Sequence, residues 1–256
     1  MNNLKGKFAL ITGATSGIGK ACAKYLAKEG VNLILTGRRK DRLKELKKEL
    51  LEKYDIKINI FPLDVTNKDE VEKKLTHSTI KQNIDILINN AGLALGIDKI
   101  DEGSIDNWEQ MIDTNLKGLL YVSKVIIKHM RKNNSGHIIN LGSIAGEICY
   151  PGGNVYSATK AAVHSLTQSM NIDLVGTNIR VSNIAPGAVE TEFSNIRFNG
   201  DKEKADAVYA GYKPLVAEDI ADLIVYILNA PKHVNIQHTL IMPTAQRNPY
   251  MLHKDI

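Results

Sequence analysis

Hydrophobic positions along this chain gather into short, nearly continuous runs separated by stretches with helical periodicity. The runs are KFALIT (7–12), VNLILT (31–36), KINIFP (57–62), IDILIN (84–89), GHIINL (136–141), NIRVSNI (178–184) and HVNIQHTLI (233–241). A strand with one wet face alternates polar and apolar residues, whereas a run that is apolar throughout suits a strand covered on both faces. The pattern therefore predicts repeated β-α-β units, giving an α/β fold whose parallel sheet of about seven strands carries helices on each side. The longest predicted helix, 106–132, opens on Asp106 and Glu109 in the Asp-x-x-Glu form of a cap and closes in a Lys/Arg-rich turn before Ser135-Gly136. Others are expected near 67–80 and over 155–175. Residues 186–216 match neither period: they are rich in Gly, Asn and charge and carry Phe193 and Phe198. Long loops in compact domains are usually functional, so this segment is expected to cover a substrate, with one short helix near 202–210. No repeat or low-complexity linker interrupts the pattern, and one domain over 1–256 is expected.

Composition changes this picture little. A length of 256 residues lets one α/β domain bury a full core, although two smaller domains would also fit. The net charge of +5 is spread over Lys/Glu-rich helix faces such as 39–53, which reads as solvated ion pairing and not as a nucleic-acid stripe. The apolar run after MNNLKGK is too short for a signal sequence or a membrane span, so cytoplasmic residence without a membrane partner is the expectation. Cys22 and Cys149 show no Cys-x-x-Cys spacing, which indicates neither a metal site nor a disulfide framework; both are expected as free thiols.

Candidate chemistry begins directly after the first run, at TGATSGIG (12–19), followed by a helical stretch ending in Gly30. Gly13 permits a tight turn, Gly17 lets backbone approach a pyrophosphate, and Gly19 lets the helix pack closely on the strand, so that the helix N-terminus faces an anion. Thr15, Ser16 and Ile18 belong to the same cradle. A carboxylate at the end of the second strand would bind the ribose 2′-hydroxyl of NAD, but the chain reads Thr36-Gly37-Arg38-Arg39. Two guanidinium groups suit the extra phosphate of NADP, and NADP(H) is the predicted cofactor. Arg38 and Arg39 could alternatively begin a surface helix.

Tyr-x-x-x-Lys places two side chains one helical turn apart, where an ammonium can lower a phenol from its ordinary pKa of about 10. The spacing occurs at Tyr156/Lys160, Tyr209/Lys213 and Tyr250/Lys254. The second is interrupted by Gly211 and abuts Pro214, and the third lies in the tail. Only the first has chemistry nearby: Ser143 follows the fifth run, at the end of a strand where open parallel sheets bind ligands.

In this order the motifs resemble those of the short-chain dehydrogenase/reductase family, over residues 7 to about 241. The resemblance implies a single Rossmann-type doubly wound domain and a nicotinamide-dependent enzyme acting on CH–OH groups. Tyr156 would be the acid/base and Ser143 would hydrogen-bond the reacting oxygen. Lys160 would acidify the phenol and bind the nicotinamide ribose, and Asn115 would hold a water for proton return. Asp64-Val65 resembles the adenine-edge contact, Asn89-Asn90-Ala91-Gly92 the NNAG turn beside the cofactor, and Pro186-Gly187 with Val189 and Thr191 the nicotinamide-side turn. Without the resemblance, Asp64 reads equally as the cap of the helix near 67–80, and Asn115 as a buried polar group satisfying backbone.

NNAGLALG (89–96), GGNVYSATKA (152–161), TEFSNIRFNGD (191–201) and HVNIQ (233–237) resemble the bacterial NADP-dependent 3-hydroxy acid dehydrogenases. That narrower likeness implies serine, L-allo-threonine and 3-hydroxypropionate/malonic semialdehyde as substrates, while the wider family resemblance implies a homotetramer that pairs the helices over 106–132 and 155–175 and the last strands. Arg197, in the covering segment, is then the candidate for the substrate carboxylate, with a solvent-facing loop arginine as the equal alternative. A reductase of a neutral ketone, sugar or acyl thioester is the competing reading, and a non-catalytic NADP-sensing protein a more remote one.

Overall fold

The computed structural model describes residues 4–76 and 80–255. Each of the runs forms a strand: β1 (Phe8–Ile11), β2 (Asn32–Gly37), β3 (Ile58–Pro62), β4 (Ile86–Asn89), β5 (Gly136–Leu141) and β6 (Ile179–Pro186), while the last yields a strand only in its second half. That final strand starts late because Val234 N–H donates to Pro231 O at 2.8 Å, closing a turn over what the sequence suggested was extended chain. Among the described residues two further short strands, β7 (Val189–Glu190) and β8 (Leu215–Val216), precede the last one, β9 (His238–Ile241).

The large sheet is parallel throughout and runs β3-β2-β1-β4-β5-β6-β9, with register such as Ala9↔Leu33 and Ala9↔Ile86 on either side of β1. Strand order reverses between β1 and β4, which makes a crevice at their carboxyl ends. Helices cover both faces. On one lie α1 (Gly17–Lys28), α2 (Lys40–Leu51) and α9 (Ala217–Asn229), whose Leu26, Leu43 and Ile224 share a core with Ile11 and Leu35. On the other lie α3 (Lys68–Leu75), α5 (Leu119–Asn133) and α6 (Asn154–Asp173), whose Val71, Ile126 and Val163 pack with Leu10 and Leu87. Alternate residues of one strand thus enter opposite cores, as a doubly covered strand requires.

Several local expectations are corrected. The long helix expected over 106–132 is α4 (Ile105–Ile112), a π-helical turn (Asp113–Gly118) and α5. Ser104 caps it, accepting from Asn107 N, and Asp106 sits in the first turn. The helix expected near 67–80 covers Lys68–Leu75; residues 77–79 lie outside the described ones. Asn67, and not Asp64, caps it by accepting from Glu70 N, because Asp64 Oδ1 is engaged by Thr66 N–H at 3.0 Å and Thr66 Oγ1 at 2.9 Å. The segment 186–216 contains two short helices, α7 (Phe193–Arg197) and α8 (Lys202–Ala207), together with the β7–β8 pair. Tyr209 and Tyr250 both fall outside helices, as their Gly and Pro neighbours suggested.

Candidate active site

A cleft of about 590 Å³ opens at the carboxyl ends of β1 through β6. Its floor is the glycine turn. Gly13 has φ +66°, and a Cβ there would lie 2.9 Å from Asn90 Nδ2 and 3.0 Å from Ala91 Cα, so only bare backbone fits. The NNAG turn holds it in place: Thr12 Oγ1 accepts from Asn90 N and Ala91 N, both at 3.0 Å, and Asn90 Nδ2 donates to Thr12 O at 2.9 Å and Gly13 O at 3.2 Å. Asn89 points the other way, donating to Ser123 Oγ at 2.9 Å and Asn140 Oδ1 at 2.8 Å across the sheet interior.

Every residue predicted to bind a cofactor lines this cleft except Gly19. Gly19 instead packs against the strand end, where a Cβ would sit 2.5 Å from Gly13 O, so it sets the helix position and leaves the contact to its neighbours. The first turn of α1 opens into the cleft from Ser16, whose side chain makes no cap and instead accepts from Arg39 Nη2 at 2.7 Å. A bare glycine turn, a helix N-terminus free of a side-chain cap and guanidinium groups beside it fit a phosphorylated dinucleotide.

The two arginines separate in the structure. Arg38 is exposed on the cleft wall. Arg39 turns inward, its Nη2 also donating to Thr15 Oγ1 at 2.9 Å and its Nη1 to Glu192 Oε2 at 2.9 Å. Arg42 reaches the same carboxylate at 2.7 Å. Burial pushes the Glu192 carboxyl up, but hydrogen bonds from Arg39 and Arg42 outweigh it and hold the group below the usual range. Glu192 was not singled out from sequence, since its partners lie 150 or more residues away.

At the other end stand Ser143, Tyr156 and Lys160. Ser143 Oγ accepts from Ala145 N at 3.1 Å, which leaves its O–H to donate into the cleft that it lines with Tyr156. Lys160 Nζ donates to Leu141 O at 2.8 Å and lies 5.9 Å from the centroid of the Tyr156 ring. The sequence suggested that this ammonium acidifies the phenol; around the phenol, burial outweighs the neighbouring charges. Burial pushes Tyr156 up to about 12, and the opposing influences are the charge of Arg197 and the Ser143 hydrogen bond. Lys160 is itself lowered to about 8 by burial.

Arg197 faces the cleft and not solvent. Its guanidinium carbon lies 5.1 Å from the Tyr156 ring centroid and 5.4 Å from that of Phe193. Nη2 donates to Tyr150 Oη at 2.6 Å, while buried Nε has no hydrogen-bond partner. Tyr150, which sequence reasoning missed, therefore fixes the guanidinium from below; its only local signal was its place before Pro151-Gly152-Gly153.

Asn115 does not line the cleft. It sits in the π-helical turn and is fully engaged, its Oδ1 accepting from Leu93 N at 2.8 Å and its Nδ2 donating to Leu93 O at 2.8 Å and Thr159 Oγ1 at 3.1 Å. Gly92 separates it from the ammonium, since a Cβ on that glycine would lie 3.1 Å from Asn115 Oδ1 and 3.5 Å from Lys160 Nζ.

Residues 7–201 match the family model described as short chain dehydrogenase. The chain belongs to the short-chain dehydrogenase family. Within that family it is 45% identical over 239 residues to an NADP-dependent 3-hydroxy acid dehydrogenase of Escherichia coli strain K12, covering 93% of this chain and 95% of the relative. An NADP-dependent 3-hydroxy acid dehydrogenase of Schizosaccharomyces pombe is 43% identical over 249 residues, with 96% of each chain covered. Among solved short-chain dehydrogenase structures, the closed form of a serine dehydrogenase complexed with NADP+ superimposes with a TM-score of 0.89 at 44% identity, over 94% of this chain and 96% of that one.

Proposed function

We propose that this short-chain dehydrogenase is an NADP(H)-dependent oxidoreductase that interconverts a 3-hydroxy acid and its 3-oxo acid, with serine, L-allo-threonine and 3-hydroxypropionate/malonic semialdehyde as substrates. One observation carries the reading: the Tyr156 phenol lies under the Arg197 guanidinium, with Ser143 and Lys160, in the cleft that also holds the glycine turn. The likeness to relatives named for NADP and 3-hydroxy acids supports it.

NADP(H), held by the 13–19 turn, Arg38 and Arg39 and flanked by Asp64, Val65, Asn90, Ala91, Gly92, Pro186, Gly187, Val189 and Thr191, would supply or accept the hydride. Tyr156 gives its proton to the carbonyl oxygen in reduction and takes it from the alcohol in oxidation. The Ser143 hydroxyl orients that oxygen and stabilises charge developing on it. Lys160, pinned to Leu141 O, keeps two further N–H donors for the cofactor ribose. Asn115 holds the Leu93 backbone and Thr159 in register with the lysine. The unpaired Nε of Arg197 provides a buried donor for the carboxylate that distinguishes a hydroxy acid from a neutral alcohol.

This reading extends to organisation. Residues 1–256 form one catalytic domain covered by 186–216, acting in the cytoplasm as a homotetramer that pairs α4–α5, α6 and the last strands. Light scattering on the purified protein tests the assembly. The activity is tested by following nicotinamide absorbance with NADP and NAD against serine, 3-hydroxypropionate and neutral secondary alcohols. Preference for hydroxy acids with NADP is expected, and Tyr156→Phe should bind NADP without turnover. Faster reaction with neutral alcohols would overturn the substrate class, and turnover in Tyr156→Phe would overturn the mechanism.

A further inference from the structure

Behind the turn that carries Ser143, on the edge of the sheet away from the dinucleotide cradle, three side chains from separate elements converge. Glu147 follows the short 3-10 turn Ile144–Gly146, His164 lies on α6, and His238 opens β9, where it pairs in register with Asn183. Their donor atoms all lie within 4.8 Å of one another. His238 Nε2 is 2.8 Å from Glu147 Oε1, and the two imidazole rings are 4.6 Å apart, centroid to centroid. Glu147 and His238 are exposed and His164 is half-buried, so the cluster is open to solvent.

We propose that Glu147, His164 and His238 form a binding site for a divalent transition-metal ion of the zinc class. Two imidazoles and one carboxylate are a donor set that zinc favours over magnesium or calcium, which take oxygen ligands. Tetrahedral ligands about 2.1 Å from zinc lie roughly 3.4 Å from each other, so the observed spacing closes by rotation of exposed side chains. A second feature fits. Metal-binding histidines present one ring nitrogen to the ion and donate the other N–H to an oxygen. His238 Nδ1 stands 3.0 Å from Asn183 Nδ2, while the Oδ1 of that buried amide has no hydrogen-bond partner. Turning the amide over would let its oxygen accept from Nδ1–H, which puts the ring's lone pair on Nε2, beside Glu147, where a ligand nitrogen is needed.

The site joins the elements that present the candidate acid/base pair. His164 is one helical turn beyond Lys160 on the helix of Tyr156, and Gly146, next to Glu147, packs on that helix so tightly that a Cβ would lie 2.5 Å from the Lys160 carbonyl carbon. A bound ion would clamp the Ser143 turn, α6 and the edge strand together. Sequence spacing could not show this, since the ligands come from three distant segments.

Untagged, chelator-treated full-length protein should bind about one Zn²⁺ per chain at micromolar concentration in calorimetry, with a rise in Tm, and Co²⁺ should give the intense visible bands of a tetrahedral site. Glu147→Gln, His164→Ala and His238→Ala should each weaken binding tenfold or more with unchanged circular dichroism, whereas His253→Ala, in the exposed tail, should not. Binding that survives all three ligand changes, or no saturable binding to the native protein, would overturn the proposal.

Discussion

The guanidinium of Arg197 lies 5.1 Å from the Tyr156 ring, nearer than the Lys160 ammonium at 5.9 Å, and it is the charge that most strongly opposes the upward push of burial on the phenol. If Arg197 also binds the substrate carboxylate, as proposed, one residue of the 186–216 segment sets both acid/base strength and substrate preference. Arg197→Ala removes a positive charge that favours phenolate, so the phenol pKa moves further up. Oxidation needs phenolate, and its rate should therefore rise only at higher pH than in the native protein; reduction, which uses the protonated form, should change little near neutrality. The loss of a charge-assisted contact of about 1.5–3 kcal/mol should also raise KM for serine by roughly 10- to 100-fold, with a neutral ketone spared. Equal losses on both substrates, with an unmoved pH profile, would show that Arg197 reads neither the carboxylate nor the phenol.

Lys160 exacts a stability cost. Burial lowers it from 10.5 to about 8, so between pH 8 and 10.5 the unfolded chain binds more protons and stability rises with pH. Below pH 8 the full penalty of up to about 3 kcal/mol applies. Lys160→Met should accordingly raise the unfolding free energy at pH 7 and flatten its rise between pH 8 and 10.5, while abolishing turnover. Urea melts at pH 7 and pH 10 check this. A less stable variant would mean that the Leu141 hydrogen bond outweighs desolvation.

Glu192 places a carboxylate against Arg39 and Arg42, where a 2′-phosphate would compete for the same guanidinium groups. Glu192→Gln removes the competing charge and should tighten NADP several-fold, leaving NAD nearly unchanged, when Kd is measured by fluorescence titration. Weaker NADP binding would instead mark Glu192 as a support that holds Arg39 in position.

What the sequence made legible was local or periodic. Runs such as VNLILT announce doubly covered strands, and the 12–19 turn and Tyr156/Lys160 keep their chemistry within one or two helical turns. Contacts between distant segments were hidden: Tyr150 meets Arg197 across 47 residues and Glu192 meets Arg39 across 153. The π-helical turn that delivers Asn115 also escaped, because it inserts into a helix without disturbing apolar periodicity. The direction of the Tyr156 shift could not be read from spacing alone, since burial of the site outweighs the neighbouring charges.

Acid stability should hinge on a residue remote from the cleft. His137, on β5, is buried, and burial, helped by Arg180 and Lys7, lowers its pKa from 6.5 to about 3. Its Nε2 lies 2.9 Å from Ser182 Oγ, and Nδ1 has no partner. A neutral ring with its proton on Nε2 fits, leaving a bare lone pair on Nδ1 and no stranded N–H donor. The unfolded chain binds the proton below pH 6.5 and the folded chain only near pH 3, so stability is lost as pH falls across that window, by up to roughly 5 kcal/mol. His137→Asn keeps a polar partner for Ser182 without titrating there. It should lower stability at pH 7 through lost volume, by about 1–2 kcal/mol, yet flatten the fall between pH 6 and 4. Thermal melts across that range decide it: parallel curves for the two proteins would show that carboxylates elsewhere, and not this imidazole, govern acid unfolding.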